Sequence, residues 1–508
     1  MTQLKKQLVL VTLSLFFTSI LLGQTKVVAG PPGSGKFGKN VTVLKNGNYV
    51  VTDPFYDNGS AIDAGAVYLY NGLTHSLIST IKGTTQNDRI GYNGVLALTN
   101  GNFVICSMTW NSPTNVNVGA VTWGSGTTGI SGVVSASNSL IGSKDYDQVG
   151  NNIKGLTNGN YVVINSYWSP STSVFSYGAV TWADGTTGIS GIVSASNSLI
   201  CSNINSIGSN VIPLPNGNYL VLSQGWNNGS IQNVGAVTWG SGTSGVKGLL
   251  SASNSLIGST ANDEIGKPSY VSILENGNYI VVSPYWDNGS KVDAGAVTWG
   301  NSATGVSGVI SASNSLVGNT AYDRIGSGGA SSLFNGNYVV ASPRWDSGSR
   351  VDVGAATWIN GAIGLTGYIN QNNSLIGDIA GCQVATMISS LYNGNYVVSS
   401  VQWTDTVSKT KGAVTWGYGA TGTFGKVSIS NSMIGKTHED WVGYRILPLL
   451  NGNYVIGSPY WDTGSILNVG AATWCSGNGP TSGTVSAANS LIGSTTDDFV
   501  SLNMQSLY

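Results

Sequence analysis

Pairs of aspartates recur in short loops along this chain, and paired carboxylates are candidate ligands for a metal ion. Each pair flanks a loop of the pattern D-x-G-S-x-x-D. The pairs are Asp57 with Asp63, Asp287 with Asp293, and Asp346 with Asp352. Oxygen-rich loops of this size suit calcium, which takes about six to eight oxygen ligands. The loop at Asp462 has asparagine as its second member and three other loops lack the pair, so we favour a structural turn and keep calcium as the alternative.

A second acidic position recurs two residues before an isoleucine or valine. It is occupied by Asp88, Asp147, Asp263, Asp323, Asp440 and Asp498. An aspartate in such a place can accept hydrogen bonds from nearby backbone N–H groups. The pattern therefore predicts that these carboxylates hold the turn between successive units.

Fourteen tryptophans fall into two periodic sets, and flat aromatic rings could stack on sugar rings. The first set, which we place at the end of the second strand of each repeated unit, is Trp110, Trp168, Trp226, Trp286, Trp345, Trp403 and Trp461. The other set is Trp123, Trp182, Trp239, Trp299, Trp358, Trp416 and Trp474. Packing between units is the favoured interpretation, and sugar binding is the alternative. We expect the first set to be the more exposed because it adjoins a polar loop, which makes Trp286, Trp345 and Trp461 the candidate binding residues.

Residues for catalysis are scarce. The chain has two histidines: His75 replaces an asparagine of a repeated motif, and His438 lies in a variable linker beside Glu439 and Asp440. No G-x-S-x-G motif and no phosphate-binding loop between a strand and a helix is present. We predict no catalytic residues, no enzymatic activity, and no cofactor other than the calcium considered above. The formal net charge of −1 favours neither nucleic acid nor an anionic membrane as partner.

The elements that position these residues are repeated units. Glycine accounts for 71 of the 508 residues, yet 41% apolar residues and 15 tryptophans argue for a packed core. The tetrapeptide Asn-Gly-Asn-aromatic begins at Asn46, Asn100, Asn158, Asn216, Asn276, Asn335, Asn393 and Asn451. A regular spacing of this kind indicates an array of similar structural units.

Each unit can be divided into four strands. Strand A ends at a leucine such as Leu274, and Asn-Gly predicts a type I′ hairpin to strand B, Tyr279–Val282. Strand C is Gly295–Trp299, and a long, more polar strand D covers Ser307–Val317. Eight such units predict an all-β fold, a β-propeller of about eight four-stranded antiparallel blades. The alternatives are a seven-bladed ring plus an extra repeat, or a β-solenoid.

The first unit resembles the FG-GAP repeats of integrin α-chain heads and their bacterial relatives, which build propellers. The resemblance rests on Phe37-Gly38, Asp53-Pro54 and the segment Gly65–Tyr70. Later units are similar to a bacterial repeat family rich in WGxGTTGxSGxVSASNSLxG, to which no function is assigned. Many FG-GAP repeats bind calcium through D-x-D-x-D-G in the A–B hairpin. This chain has Asn-Gly-Asn there, so the resemblance implies the fold and not that calcium site.

The beginning of the chain reads as a secretory signal at residues 1–23, with Lys5 and Lys6 before the apolar run Leu8–Leu22. That run is shorter than the about 20 residues of a membrane span. We divide the rest into an N-terminal segment (24–36), the repeat array (37–497), and the start of a ninth repeat or a ring-closing strand (498–508). The four cysteines occupy different places in their units, which favours four buried thiols over one or two disulfides.

These observations favour an exported bacterial protein, secreted or on the cell surface, that acts as a binding or adhesion module. The ligand would be polysaccharide, matrix or protein. A purely structural array within a larger surface protein and a propeller enzyme that degrades polysaccharide are the alternatives.

Overall fold

The computed structural model describes residues 27–171, 176–201, 207–208, 210–405 and 409–506. The predicted signal at residues 1–23 lies outside the described residues. The described chain is all-β, with one short 3-10 turn at Pro268–Tyr270. Across those ranges, no helix reaches the length and hydropathy that crossing a membrane requires.

Eight repeats each contribute an antiparallel unit of four strands, as the sequence predicts. Strand A is Val41–Val43, Val95–Ala97, Asn152–Gly155, Asn210–Pro213, Val271–Ile273, Ala330–Ser332, Met387–Ser390 and Arg445–Pro448 in repeats 1 to 8. Strand B is Tyr49–Asp53, Phe103–Ser107, Tyr161–Asn165, Tyr219–Ser223, Tyr279–Ser283, Tyr338–Ser342, Tyr396–Ser400 and Tyr454–Ser458. Strand B is almost wholly buried, in agreement with its unbroken apolar sequence.

Strands C and D complete each unit. Strand C is Ala66–Tyr70, Ala120–Gly124, Ala179–Ala183, Ala236–Gly240, Ala296–Gly300, Ala355–Ile359, Ala413–Gly417 and Ala471–Cys475. Strand D is Leu77–Lys82, Ser139–Ile141, Leu199–Ile200, Ser255–Ile257, Leu316–Val317, Leu375–Ile376, Ser432–Ile434 and Leu491–Ile492. The order in each sheet is A-B-C-D, and neighbours within the unit are antiparallel.

A fifth strand in seven sheets comes from the following repeat, which the sequence did not predict. These linking strands are Gly132–Val133, Gly191–Ile192, Gly248–Leu249, Gly308–Val309, Gly367–Tyr368, Gly425–Lys426 and Gly483–Thr484. Each pairs in parallel with strand D of the preceding repeat, as Gly308 does with Leu256. Successive sheets therefore interlock through their backbones.

The predicted long strand D, Ser307–Val317, is wrong as a single strand. Its first part, Gly308–Val309, belongs to the preceding sheet, and only Leu316–Val317 belongs to its own sheet. Asn314 makes the turn between them: its side-chain oxygen accepts the Ser311 N–H at 3.0 Å, and its Nδ2 donates to the Val309 carbonyl at 3.0 Å. An asparagine that satisfies local backbone groups in this way ends a strand.

The A–B hairpin also differs from the predicted type I′ turn. In the first repeat the Gly47 N–H bonds to the Leu44 carbonyl, and Gly47 has φ +85° while Asn46 keeps a negative φ. This is a type I turn closed by a left-handed glycine. The Asn46 side-chain oxygen accepts the Asn48 N–H at 3.1 Å, which stabilises that geometry without a positive φ at asparagine.

The core consists of interfaces between consecutive sheets. Seven buried clusters each combine strands of two neighbouring repeats, from repeats 1 and 2 to repeats 7 and 8. An eighth cluster joins Tyr56, Tyr68 and Tyr70 of the first sheet to Val28 and Phe37 of the N-terminal segment. This architecture is consistent with an eight-bladed propeller. None of the described hydrogen bonds or core clusters joins the eighth sheet to the first.

The Asn-Gly-Asn motif and the strand-C tryptophan act together across each interface. Asn100 Nδ2, Asn102 Nδ2 and Trp123 Nε1 of repeat 2 all donate to the carbonyl of Gly185 in repeat 3, at 2.8, 2.8 and 2.9 Å. The same three donors meet one carbonyl of the next repeat at Gly242, Ser302, Gly419 and Gly477. We call this arrangement the carbonyl clamp. It explains why the motif recurs with so little change.

Candidate functional site

The tryptophans that follow strand B are buried, which corrects the expectation that they are exposed. Trp286, Trp345 and Trp461 expose 3%, 5% and 4% of their surface. Each fills the core between its own sheet and the preceding one. The chain turns inward at the end of strand B, so adjacency to a polar loop does not expose the ring. Six members of the strand-C set are half-buried, and their indole N–H groups donate to a carbonyl of the next repeat, as in Trp299, whereas Trp474 is 58% exposed.

The residue immediately before each buried tryptophan points outward instead. Tyr285 is 39% exposed beside Trp286 at 3%. This position changes from repeat to repeat: Phe55, Thr109, Tyr167, Gly225, Tyr285, Arg344, Gln402 and Tyr460. The aspartates between successive units, such as Asp88 and Asp323, are called the linker aspartates from here on. A second changing position directly follows them and includes Arg89, Glu264, Arg324, Trp441 and Phe499. Side chains at the two positions contact each other, and we call the surface that they form the aromatic edge.

The aromatic edge is richest at repeats 7 and 8. The ring of Tyr460 lies 4.9 Å from Trp441, 5.3 Å from Tyr444 and 5.7 Å from Phe499, between ring centroids and in T-shaped contacts. All four rings are exposed or half-buried. Burial, with a smaller contribution from Tyr444, raises the pKa of the Tyr460 hydroxyl. The cluster offers ring faces and hydroxyl groups to a ligand.

At repeat 5 the edge combines tyrosines with basic side chains. The Arg324 guanidinium lies 5.5 Å from the ring centroid of Tyr285 and 5.9 Å from that of Tyr322. Arg324 also donates to the Asp293 carboxylate at 2.6 Å, which holds it in place. Lys267 lies 5.6 Å from the ring of Tyr270 on the same edge. These are cation–π distances, so part of the positive charge is directed at rings.

A third group of this kind lies at repeat 1. Lys36 and Arg89 approach the Phe55 ring at 4.9 and 5.4 Å, and Lys39 lies 3.4 Å from the ring centroid of Tyr92. The Phe55 and Tyr92 rings contact each other edge to face at 6.1 Å. Three separate groups of exposed rings thus lie on equivalent positions of repeats 1, 5 and 8.

A polar groove of about 580 Å³ lies on the same side of repeats 1 to 3. It is lined by linker and B–C loop residues that include Asn87, Asn111, Asp145 and Tyr146.

The linker aspartates hold turns, as the sequence predicts. The Asp323 carboxylate accepts the N–H groups of Asn319 at 2.9 Å and Thr320 at 2.8 Å, and its second oxygen accepts that of Asp346 in the next repeat at 3.0 Å. Burial raises the pKa of Asp323 to about 6, against the lowering effect of these donors. The same burial raises the pKa of Asp88, Asp147, Asp263 and Asp440. In the exposed Asp498, hydrogen bonds from Thr495 and Ser494 lower the pKa instead.

The acidic pairs make a turn whose geometry is shared by repeats without them. The Asp63 N–H donates to Asp57 at 2.9 Å, and Asp293 to Asp287 and Asp352 to Asp346 at 2.8 Å. Asparagine pairs do the same at Asn111–Asn117 and Asn227–Asn233. The second residue always has φ near +50°, a region that Asp and Asn tolerate. This confirms the turn interpretation, while calcium at Asp57, Asp63, Asp287, Asp293, Asp346 and Asp352 stays a prediction.

Other reactive groups are dispersed. His75 contacts the Tyr49 hydroxyl at 3.1 Å, and His438 lies 3.9 Å from Glu439 on the surface. Within the described ranges, no three His, Cys, Asp or Glu side chains come together in a way that could hold a metal ion. All four cysteines are buried and no disulfide joins them, which agrees with the favoured prediction.

The sequence analysis expected exposure at the tryptophan, whereas the exposed side chain is that of the preceding residue, as at Tyr285. A signal was available in the repeats themselves: Trp286 and its counterparts scarcely change, whereas the preceding position ranges from glycine to arginine and tyrosine. Uniform positions build the scaffold, and the changing positions lie on the exposed edge.

A family model described as "Repeat of unknown function (DUF5650)" matches the chain eight times, at residues 43–92, 97–151, 155–209, 213–267, 273–327, 332–386, 390–444 and 448–502. No curated protein matches the sequence. Among solved structures, the chain is similar to "Crystal Structure Of The C-Terminal WD40 Domain Of Sif2", with 10% identity over 84% of this chain and 96% of that chain, and a TM-score of 0.26.

Proposed function

We propose that this chain, which belongs to the family of repeats of unknown function (DUF5650), is an exported module that binds polysaccharide, matrix or protein ligands through its aromatic edge. One observation carries the proposal: the cluster of the exposed Tyr444 with the half-buried Trp441, Tyr460 and Phe499. Four aromatic rings on a solvent-exposed edge add little to the core. Their faces suit a ligand with flat apolar surfaces and hydroxyl groups, such as a sugar chain.

The repeated arrangement supports binding at several points. The groups at repeats 1, 5 and 8 occupy equivalent places on one edge, so an extended ligand could engage more than one of them. Linked weak sites of this kind produce avidity without a deep pocket. Because the groups differ in charge and ring content, each would select different parts of the ligand.

The proposal is tested by screening the purified protein against arrayed glycans and matrix proteins. We expect the double variant Trp441→Ala, Tyr460→Ala to lose at least tenfold in affinity for the bound ligand, since central aromatic contacts often contribute about 2 kcal/mol or more. The control is Tyr368→Ala, Tyr418→Ala, which removes two aromatic side chains that lie outside the edge and are 47% and 48% exposed. Equal loss in both variants, or no bound ligand at all, would contradict the proposal.

Export and surface location belong to the same proposal. The support is the basic and apolar pattern of residues 1–23 and the resemblance of the first repeat to FG-GAP units, which also suggests a bacterial origin. Mass spectrometry of the N-terminus of protein recovered outside producing cells would reveal cleavage near Gly23 or Ala29. An intact N-terminus on cytosolic protein would contradict export.

Binding without catalysis is the function that we propose for this surface. The aromatic edge presents rings, lysines, arginines and Glu264. The linker aspartates beside it accept backbone N–H groups, both where they are buried, as Asp323 is, and at the exposed Asp498. Incubating the purified protein with the ligand and measuring new reducing ends or unsaturated sugars tests this; product formation would favour the enzyme alternative.

A further inference from the structure

Each of the first seven repeats presents a face that the next repeat covers. We call it the acceptor face, and it consists of the two asparagines of the Asn-Gly-Asn motif, strand D and the strand-C tryptophan, which is replaced by Leu69 in repeat 1. The covering part of the next repeat, between its strands C and D, is the docking segment. In repeat 8 this segment is residues 477–485: Gly477 enters the carbonyl clamp of repeat 7, Gly483 pairs with Met433, and Val485 is buried at 1% exposure.

The eighth repeat has the same acceptor groups. The Asn453 N–H donates to the Asn451 side chain at 3.1 Å, and the Gly477 N–H donates to the Asn453 side chain at 3.0 Å. These are the bonds that orient the motif in the other repeats. The two asparagines of repeat 8 are therefore already oriented as in a carbonyl clamp, and Trp474 lies beside them on strand C.

No docking segment covers this face within the part of the chain that the structure describes. Trp474 is 58% exposed, although its six counterparts are half-buried. Leu491 on strand D is 77% exposed, whereas the equivalent Leu256 and Leu316 are 0% exposed and Met433 is 1% exposed. The eighth sheet also has four strands where the others have five. Hydrogen-bond donors, an apolar side chain and a strand edge are thus open together, and an open strand edge favours pairing with another segment.

We propose that the acceptor face of repeat 8 binds the docking segment of a further repeat of this same sequence type. Such a segment supplies a carbonyl for the three N–H donors, a short strand that pairs in parallel with Leu491–Ile492, and an aliphatic side chain equivalent to Val485. In repeats 3 to 7 the segment also carries a glycine over the tryptophan ring, whereas repeat 8 has Pro480 at this place. A Cβ at Gly188 would lie 2.5 Å from the Trp123 Cβ, and one at Gly245 would lie 2.5 Å from that of Trp182.

A second copy of the chain does not fit as the occupant. Repeat 1 has no docking segment, since a tight hairpin closed by the Asn71 N–H and the Ser76 carbonyl at 2.9 Å replaces it. The docking segments of repeats 2 to 8 are already seated on the preceding repeat. A copy of the chain would have to unfold a repeat to release one.

The test appends a copy of residues 387–444, one whole repeat, after Leu502 of the full chain. We expect hydrogen exchange of the backbone amides at residues 490–492 to slow at least tenfold and the emission of Trp474 to shift to shorter wavelength. The matched control is the same extended chain with Gly422→Leu in the appended copy, because a Cβ at Gly422 lies 2.7 Å from the tryptophan that it covers in repeat 6. The control should exchange as fast as the original chain.

Two results would overturn the proposal. One is equal exchange at residues 490–492 in the extended chain and in the Gly422→Leu control. The other is protection of these residues in the original chain together with a dimer in analytical ultracentrifugation, which would show that a second copy occupies the face.

Discussion

Replacing Asp323 with alanine tests whether the linker aspartates connect neighbouring repeats. The Asp323 carboxylate is fully buried and accepts three backbone N–H groups, from Asn319, Thr320 and Asp346. A buried donor left without an acceptor costs about 1–3 kcal/mol. Three such donors therefore predict a loss of at least about 3 kcal/mol for Asp323→Ala, concentrated at the interface of repeats 5 and 6.

The matched control is Asp378→Ala, which removes a half-exposed carboxylate that pairs with Arg350 and Lys426. Surface ion pairs contribute about 0–1 kcal/mol each, so the control should be nearly neutral. Urea denaturation measures the free energy of unfolding, and hydrogen exchange at Thr320 and Asp346 reports the local loss, because repeat arrays open locally. If Asp323→Ala destabilises the protein no more than Asp378→Ala, the carboxylate does not hold the interface.

Three further predictions concern pH, the core and metal ions. Burial raises the pKa of Asp323 to about 6. Between about pH 4 and 6 the folded chain therefore keeps a proton that the unfolded chain has lost, and the free energy of unfolding should fall as pH rises through this window. In Asp323→Asn the urea midpoint should change less with pH over the same range. Trp286→Ala should lower the free energy of unfolding in urea by about 3–5 kcal/mol, whereas Tyr285→Ala should change it by no more than about 0.5 kcal/mol. Equal losses in the two variants would refute the conclusion that Trp286 packs in the core and Tyr285 lies on the surface. EDTA should leave the melting temperature unchanged, because the Asp57 carboxylate already accepts a hydrogen bond from the Asp63 N–H. A melting temperature that rises when calcium is added would support the calcium alternative.

Strands A, B and C of each unit were predictable because local pattern decides them. The apolar run of Tyr279–Ser283 and the small-then-large alternation of Ala296–Gly300 each select a strand regardless of the neighbours. The turn role of Asp323 was predictable for the same reason, since its partners Asn319 and Thr320 lie four and three residues before it. Side-chain-to-backbone bonds over such distances leave a trace in sequence spacing.

Features that join different repeats escaped prediction. The contact between Gly308 and Leu256 connects residues of different repeats, so nothing in the local pattern of Ser307–Val317 shows that this segment changes sheets. The exposure of Tyr285 and the burial of Trp286 likewise depend on the neighbouring sheet. Periodicity shows which residues are equivalent in different repeats. It does not show which of two neighbouring positions in a repeat, such as Tyr285 and Trp286, points toward the adjacent sheet.

The sequence by itself determined an array of eight units, strands A to C of each unit, and the turns made by the linker aspartates and the acidic pairs, because hydrogen bonds and packing within one unit depend on residues close in sequence. Only the tertiary structure decided the rest. It turned the Asn-Gly-Asn motif and Trp123 into a clamp for the carbonyl of the next repeat, and it placed the changing residues on one exposed edge. These properties arise from the stacking of one sheet on another, and neither sheet encodes that surface alone.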